Sequence, residues 1–186
     1  LKLSGLEKQI KPGSYDLSVD LAFPKILSVL SEGPEDINIT ILEGWRREQI
    51  GARLRALNPN FDYAGFITNT AGIEGQLFPD SYLVPKDITA SQAIKIFTSN
   101  FVKKTGLDPS NPEDQKRLLI ASLIEREANN PDDRPLIASV ILNRLKIGMA
   151  LQIDATVQYA VDTHNCPKDP FLCKWWSPIF DTKFPS

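Results

Sequence analysis

The stretch Pro112-Glu-Asp-Gln-Lys-Arg-Leu-Leu-Ile-Ala-Ser-Leu-Ile-Glu-Arg-Glu-Ala128 decides how this chain is read. Asn111 ahead of it, Pro112 at the first helical position and Glu113 and Asp114 in the first turn make a strong helix start. Within it Ile120, Leu123 and Ile124 repeat at the spacing of one helical face, and the next position on that face is Glu127. Glu125 stands about 200° of rotation away and points elsewhere, so the two glutamates cannot share one cleft. A carboxyl that prolongs an apolar stripe is a candidate general acid, because burial there favours its protonated form. The plainer alternative is that the stripe surfaces at the helix end and Glu127 is solvated.

Outward from that helix the composition is that of an ordinary globular protein. The 186 residues are 42% hydrophobic and 24% charged, enough for one core or for one core with a small appended lobe. The 23 acidic and 21 basic residues are mixed along the chain, so no basic face is offered to a phosphate backbone, which argues against a nucleic-acid partner. No window reaches the roughly eighteen apolar residues of a membrane span, and no charged-then-apolar leader precedes Leu1. The chain as given is expected to be soluble, while its start inside Leu1-Lys-Leu and its stop at Phe184-Pro-Ser fit a piece of a longer protein.

Cys166 and Cys173 are the only cysteines, in a Pro-rich, Trp-containing loop. That suits a small disulfide-closed loop in an oxidising compartment, or else two unpaired thiols. With the lone His164 they supply three ligands at no familiar spacing, so no metal and no cofactor is expected. Nor does His164 have a serine or cysteine in a nucleophile-elbow setting.

The architecture expected is α+β. Residues 1–36 form a small unit: a turn and strand over Ile10-Lys-Pro-Gly-Ser-Tyr-Asp-Leu17, then a helix from Phe23 to Leu30 stopped by Gly33-Pro34. A second strand alternates through Ile37-Asn-Ile-Thr-Ile-Leu42, and Ile50, Leu54 and Leu57 mark a short amphipathic helix over Arg47 to Leu57. Phe61 to Pro85 is loop-rich. Thr89 opens a helix through Phe101, and Ile137, Val140, Ile141 and Leu145 define another from about Asp133 to Lys146. Leu151 to Tyr159 alternates and reads as an extended segment or the start of a short helix.

Three separated stretches together carry a family resemblance. They are Leu42-Glu-Gly-Trp45; Glu74-Gly-Gln-Leu-Phe-Pro-Asp-Ser-Tyr82; and the run from Ile120 through Ile124-Glu-Arg-Glu127, Ala138-Ser-Val-Ile-Leu-Asn-Arg-Leu145 and Gly148-Met149 to Leu151-Gln-Ile-Asp-Ala-Thr-Val-Gln-Tyr159. In joint order and spacing the chain resembles the endolytic murein transglycosylases, the MltG/YceG-like family. The resemblance implies a small LysM-like lobe over residues 1–36, packed on a helix-rich catalytic lobe over 37–186. It also implies a protein anchored in the cell membrane by a single amino-terminal span, with this region extracytoplasmic. The implied substrate is the glycan strands of peptidoglycan, cut internally, and the implied neighbours are cell-wall synthases. The family's catalytic glutamate falls, by motif register, on Glu127.

A lytic transglycosylase uses one carboxyl as acid and then as base, and leaves a 1,6-anhydro sugar end with no second carboxylate demanded. Gln152, Asp154 and Thr156 are candidate sugar-orienting groups, with Glu74, Asp80 and Tyr82 on the opposite wall and Tyr82 and Tyr159, or one of Trp175 and Trp176, as stacking rings. The sequence departs from the family at Ala128, where threonine is usual, at Asp154-Ala-Thr156 in place of Asp-Pro-Thr, and in a longer loop from Asp162 to Trp176 that holds both cysteines. It also ends ahead of the family's Tyr-Asn-Thr-Tyr segment. Ala128 and that ending favour the competing class, a non-catalytic cell-wall glycan-binding module.

Overall fold

The computed structural model describes residues 15, 17–32, 36–166 and 172–176. Seven helices and one two-stranded sheet make up the described residues, a mixed, helix-rich α+β arrangement. From the small amino-terminal unit comes helix α1 (Phe23–Glu32), tied to Tyr15, whose hydroxyl donates to the Leu30 carbonyl at 3.2 Å. Tyr15, Leu17 and Ser18 are not in a strand, and the rest of the strand expected there lies outside the described residues.

Strand β1 (Asp36–Thr40) pairs antiparallel with β2 (Ser81–Pro85), with Ile39 opposite Tyr82 and Ile37 opposite Val84. The two-residue alternation puts Ile39, Tyr82 and Val84 inward and leaves Leu83 exposed. Under that face pack α2 (Arg47–Leu57), α3 (Tyr63–Thr70) and α4 (Ala90–Thr105), through Ile50 and Leu54, Phe66, and Ala93 and Phe97. Phe66, Phe97, Ile39 and Val84 are fully buried. Thr89 caps α4, its hydroxyl accepting from Gln92 N–H while the Gln92 amide oxygen accepts from Thr89 N–H.

A smaller second core joins α5 (Pro112–Glu127), α6 (Arg134–Lys146) and α7 (Asp154–Asn165). Ile141, Ile153 and Ala155 are buried there, against the half-buried Ile120, Leu123, Ile124, Ile137 and Leu151. The expected α5 stripe is thus the packing face of the helix.

One segment differs from expectation. The segment read as loop contains α3 and β2. Tertiary burial of Phe66 sustains α3, while Thr68, Asn69 and Thr70 turn their side chains back onto the carbonyls of Ala64, Gly65 and Phe66, which hides a helix in poor helix formers. The segment after Leu151, expected to be extended or the start of a short helix, is extended to Ile153 and then forms the twelve-residue α7, started by Asp154, a favourable charge at a helix amino terminus.

Candidate active site

Glu127 is the last residue of α5 and is exposed. The stripe of Ile120, Leu123 and Ile124 is covered by α6 and by the 151–155 segment, but that cover stops a turn short of Glu127, so the expected burial is not there. Glu125 takes the other side of the helix end, facing the turn between β1 and α2. Burial pushes its carboxyl up, the Glu43 charge adds to this, and Arg134, Arg126 and the Gly44 N–H pull the other way. Glu125 is exposed as well, so partial desolvation by its surroundings is enough to raise it.

That turn, Leu42 to Arg46, also anchors the site from the first core. Gly44 adopts φ +73°, a left-handed backbone that calls for glycine, and Arg126 Nη1 lies close by, 3.4 Å from where a Cβ would stand. Arg46 is 1% exposed. Its guanidinium lies 3.8 Å from the centre of the Tyr159 ring and 4.3 Å from that of Trp175. It also donates to Glu48 at 3.2 Å, to the Tyr159 carbonyl at 3.1 Å and to Thr163 Oγ1 at 2.6 Å. A buried cation is tolerable only when stacked and bonded in this way.

Of the sugar-binding candidates, the fold brings Glu74 and Tyr159 together. Glu74 Oε1 accepts the Arg47 N–H at 3.1 Å, capping α2 from a distant loop, and Oε2 accepts from Tyr159 Oη at 3.3 Å and pairs with Arg47 Nε at 3.4 Å. Burial raises the Glu74 carboxyl, against the Arg47 N–H hydrogen bond that lowers it. Burial likewise raises the Tyr159 hydroxyl, with the Glu74 charge next. Both side chains are thus committed to the joint between the two cores.

Gln152, Asp154 and Thr156 stay together, exposed, at the start of α7. Ile153 and Ala155, which alternate with them, are buried with Ile141, and Ile120, Leu123, Ile124 and Leu151 pack against that cluster. Gln152 has φ +53°, a strained backbone for a residue with a side chain, of the kind that gathers at functional sites. The turn before it is held by Arg144, whose guanidinium donates to the Leu151 carbonyl and whose own carbonyl accepts from Met149 N–H at 2.8 Å. Thr156 spends its hydroxyl proton on the Ile153 carbonyl at 2.7 Å.

Asp80 and Tyr82 fall elsewhere. Asn100 of α4 donates to both, at 3.1 and 3.0 Å, and this bond is the main cause that lowers the Asp80 carboxyl. Tyr82 is 8% exposed, its ring tilted against Phe97 and its hydroxyl donating to the Phe78 carbonyl at 2.6 Å, which leaves no open face for a sugar. In these two the aromatic and polar signal belongs to the first core.

The profile of the YceG-like family matches residues 1–171. The chain belongs to that family. It is 41% identical over 108 residues to an endolytic murein transglycosylase of Bacillus subtilis, a match that covers 55% of this chain and 29% of that protein. A second endolytic murein transglycosylase, from Streptococcus pneumoniae, is 26% identical over 195 residues, covering 81% of this chain and 35% of the relative. The chain therefore spans about a third of the length of the curated relatives it matches. A crystal structure of a yceG-like protein from Listeria monocytogenes superposes with a TM-score of 0.55 at 27% identity, covering 86% of this chain and 64% of that one.

The sequence did not single out Arg46, Arg126 and Asp162, and its helical period set Glu125 aside as pointing away from the cleft. Nothing in a sequence marks an arginine as buried. The structure also joins Cys166 to Cys173, with Cα atoms 5.6 Å apart. Among the described residues no group of His, Cys, Asp and Glu side chains is placed to hold a metal ion, and no helix is long and apolar enough to cross a membrane.

Proposed function

We propose that this chain is part of an endolytic peptidoglycan lytic transglycosylase in which Glu127 is the acid and then the base. The observation that carries the reading is the packing of Ile120, Leu123, Ile124 and Leu151 against the buried cluster of Ile141, Ile153 and Ala155. It lays the exposed Gln152, Asp154 and Thr156 alongside the helix that ends at Glu127. Family membership and the names of the relatives set the substrate class.

Glu127 first gives its proton to the glycosidic oxygen between MurNAc and GlcNAc, so that the bond from C1 to that oxygen breaks. The same carboxylate then takes the proton of the muramoyl C6 hydroxyl as O6 bonds to C1. The ends are a 1,6-anhydroMurNAc and a free GlcNAc hydroxyl, with no water consumed. A glycan lying over the exposed helix end excludes water from this step. Gln152, Asp154 and Thr156 orient the sugar. In the complete protein a LysM-like lobe over residues 1–36 sits on the catalytic lobe over 37–186. A single membrane span holds both outside the cytoplasm, near the cell-wall synthases.

The second reading, a non-catalytic glycan-binding module, is favoured by Ala128 and by the exposure of Glu127. Digestion of purified sacculi by the complete protein separates the two, read by mass spectrometry of the released glycans. Anhydromuramoyl ends support the transglycosylase. Reducing ends made by water indicate a hydrolase, and binding with no release supports the module.

A further inference from the structure

The loop after α7 returns to the far end of α5, and the contacts it makes there are unusual for a surface loop. Trp176 adopts φ +63°, a left-handed backbone that a tryptophan takes only when its surroundings impose it. Its N–H donates to Asp162 Oδ2 at 2.6 Å, and Asp162, on α7, is 6% exposed. Cys166, just past α7, is joined to Cys173, three positions ahead of Trp176, which ties the described 172–176 segment back to the end of α7.

What the loop delivers is an aromatic plate. The Arg126 guanidinium lies 3.8 Å from the centre of the Trp176 ring, and its Nη1 lies against Gly44 of the β1–α2 turn. The Tyr159 ring stands 6.2 Å away on the same loop–helix joint. The buried indole N–H groups of Trp175 and Trp176 have no acceptor among the described residues, and each ring stacks on a guanidinium group, Trp175 on Arg46 and Trp176 on Arg126. Arg126 is the residue between Glu125 and Glu127, on the last turn of a helix with no fully buried side chain of its own. Such a helix end frays unless something outside it holds it.

We propose that Trp176 is a positioning residue for Glu127: held by Asp162 and returned by the Cys166–Cys173 closure, it clamps Arg126 against Gly44 and so fixes the last turn of α5 that presents the acid. This rests on the role given to Glu127 above. The clamp acts on the geometry of the acid and makes no contact with the glycan, so its loss slows the chemical step and leaves substrate binding alone.

The test uses the complete protein on purified glycan strands, with kcat and KM measured separately for Trp176→Ala, Trp176→Phe, Arg126→Gln and the Trp176→Ala/Arg126→Gln pair. The expected result for Trp176→Ala is a loss of roughly ten- to a hundredfold in kcat with KM within about twofold, since a displacement of about 1 Å costs on that order. Trp176→Phe, which keeps a ring over Arg126, recovers most of it. The Arg126→Gln loss is of similar size, and the pair is no worse than either single change. A rise in KM at unchanged kcat would make Trp176 a sugar-stacking ring and overturn the proposal, as would additive losses in the pair. Should Trp176→Ala fail to fold, Arg126→Gln decides alone, because Arg126 is exposed and unburdened by core packing. Wild-type kcat there refutes the clamp. Activity surviving Glu127→Gln would instead refute the role of Glu127, whatever the clamp variants do.

Discussion

The sheet-centred core and the α5–α7 core differ in how completely they close. Around the sheet, Ile39, Phe66, Val84, Ala93 and Phe97 are fully buried and every neighbouring element contributes an apolar side chain. The cluster around α5 buries Ile141, Ile153 and Ala155, while Leu119, Leu136, Leu142, Ile147 and Met149 are each about half exposed or more. The residues assigned to chemistry lie on the second core, and the residues that hold the molecule together lie in the first. Arg46 links the two, since it leaves the β1–α2 turn and ends among Tyr159 and Thr163 of α7. The contrast teaches that stability and chemistry are housed apart here and meet at a joint that holds a buried guanidinium.

The largest effect that can test this contrast is truncation in the first core. Phe97→Ala leaves a large hole beside Tyr82 and should cost about 3–5 kcal/mol in urea unfolding. Ile141→Ala, in the looser core, should cost about 2 kcal/mol, at the low end for such a change. Equal losses would abolish the distinction. Next comes the link. Arg46→Ala strips Glu48 of one of its two cationic partners and empties the space between Tyr159 and Trp175, for a cost of about 3 kcal/mol. It should also split unfolding into two transitions, seen as tryptophan fluorescence changing at lower urea than far-UV circular dichroism. A single coincident transition would show that the cores are coupled by other means.

The smallest effect is a pH slope at the same joint. Burial holds the Glu74 carboxyl above its ordinary 4.5, so the folded protein keeps that proton to higher pH than the unfolded chain does. Its contribution to stability is complete below about pH 4.5 and is lost as pH rises through the raised value. Glu125 acts with the same sign and is unchanged in a Glu74 variant. Glu74→Gln should therefore show a shallower fall in urea midpoint between about pH 4 and 7 than the wild type, and identical slopes would contradict the assignment.

Much of this division can be read from the chain. Asn111-Pro112 with its acidic first turn, the Thr89 cap with Gln92, and the period of Ile50 and Leu54 each mark an element by local chemistry, and those helices stand where they were expected. Helix α3 and strand β2 were illegible because their signal is tertiary: Phe66 is one apolar residue among Thr and Asn, and Tyr82 with Val84 gives only five residues of alternation. At the site, the stripe leading to Glu127 was legible, and so was the grouping of Gln152, Asp154 and Thr156. The exposure of Glu127 was not, because helical period fixes direction around an axis but not how far a neighbouring element extends along it. Asp80 and Tyr82 looked like sugar contacts because an aromatic hydroxyl beside an acid reads alike in a cleft and in a core joint.

The central claim is that the acid on the stripe, and not its neighbour two residues earlier, performs the cleavage. Glu127→Gln and Glu125→Gln in the complete protein, each incubated with the same sacculi, test it by the yield of anhydromuramoyl-ended glycan. The account predicts no product above background from Glu127→Gln and at least about a tenth of the wild-type yield from Glu125→Gln, which loses only a charge beside Gly44. Full activity in Glu127→Gln together with none in Glu125→Gln would contradict it.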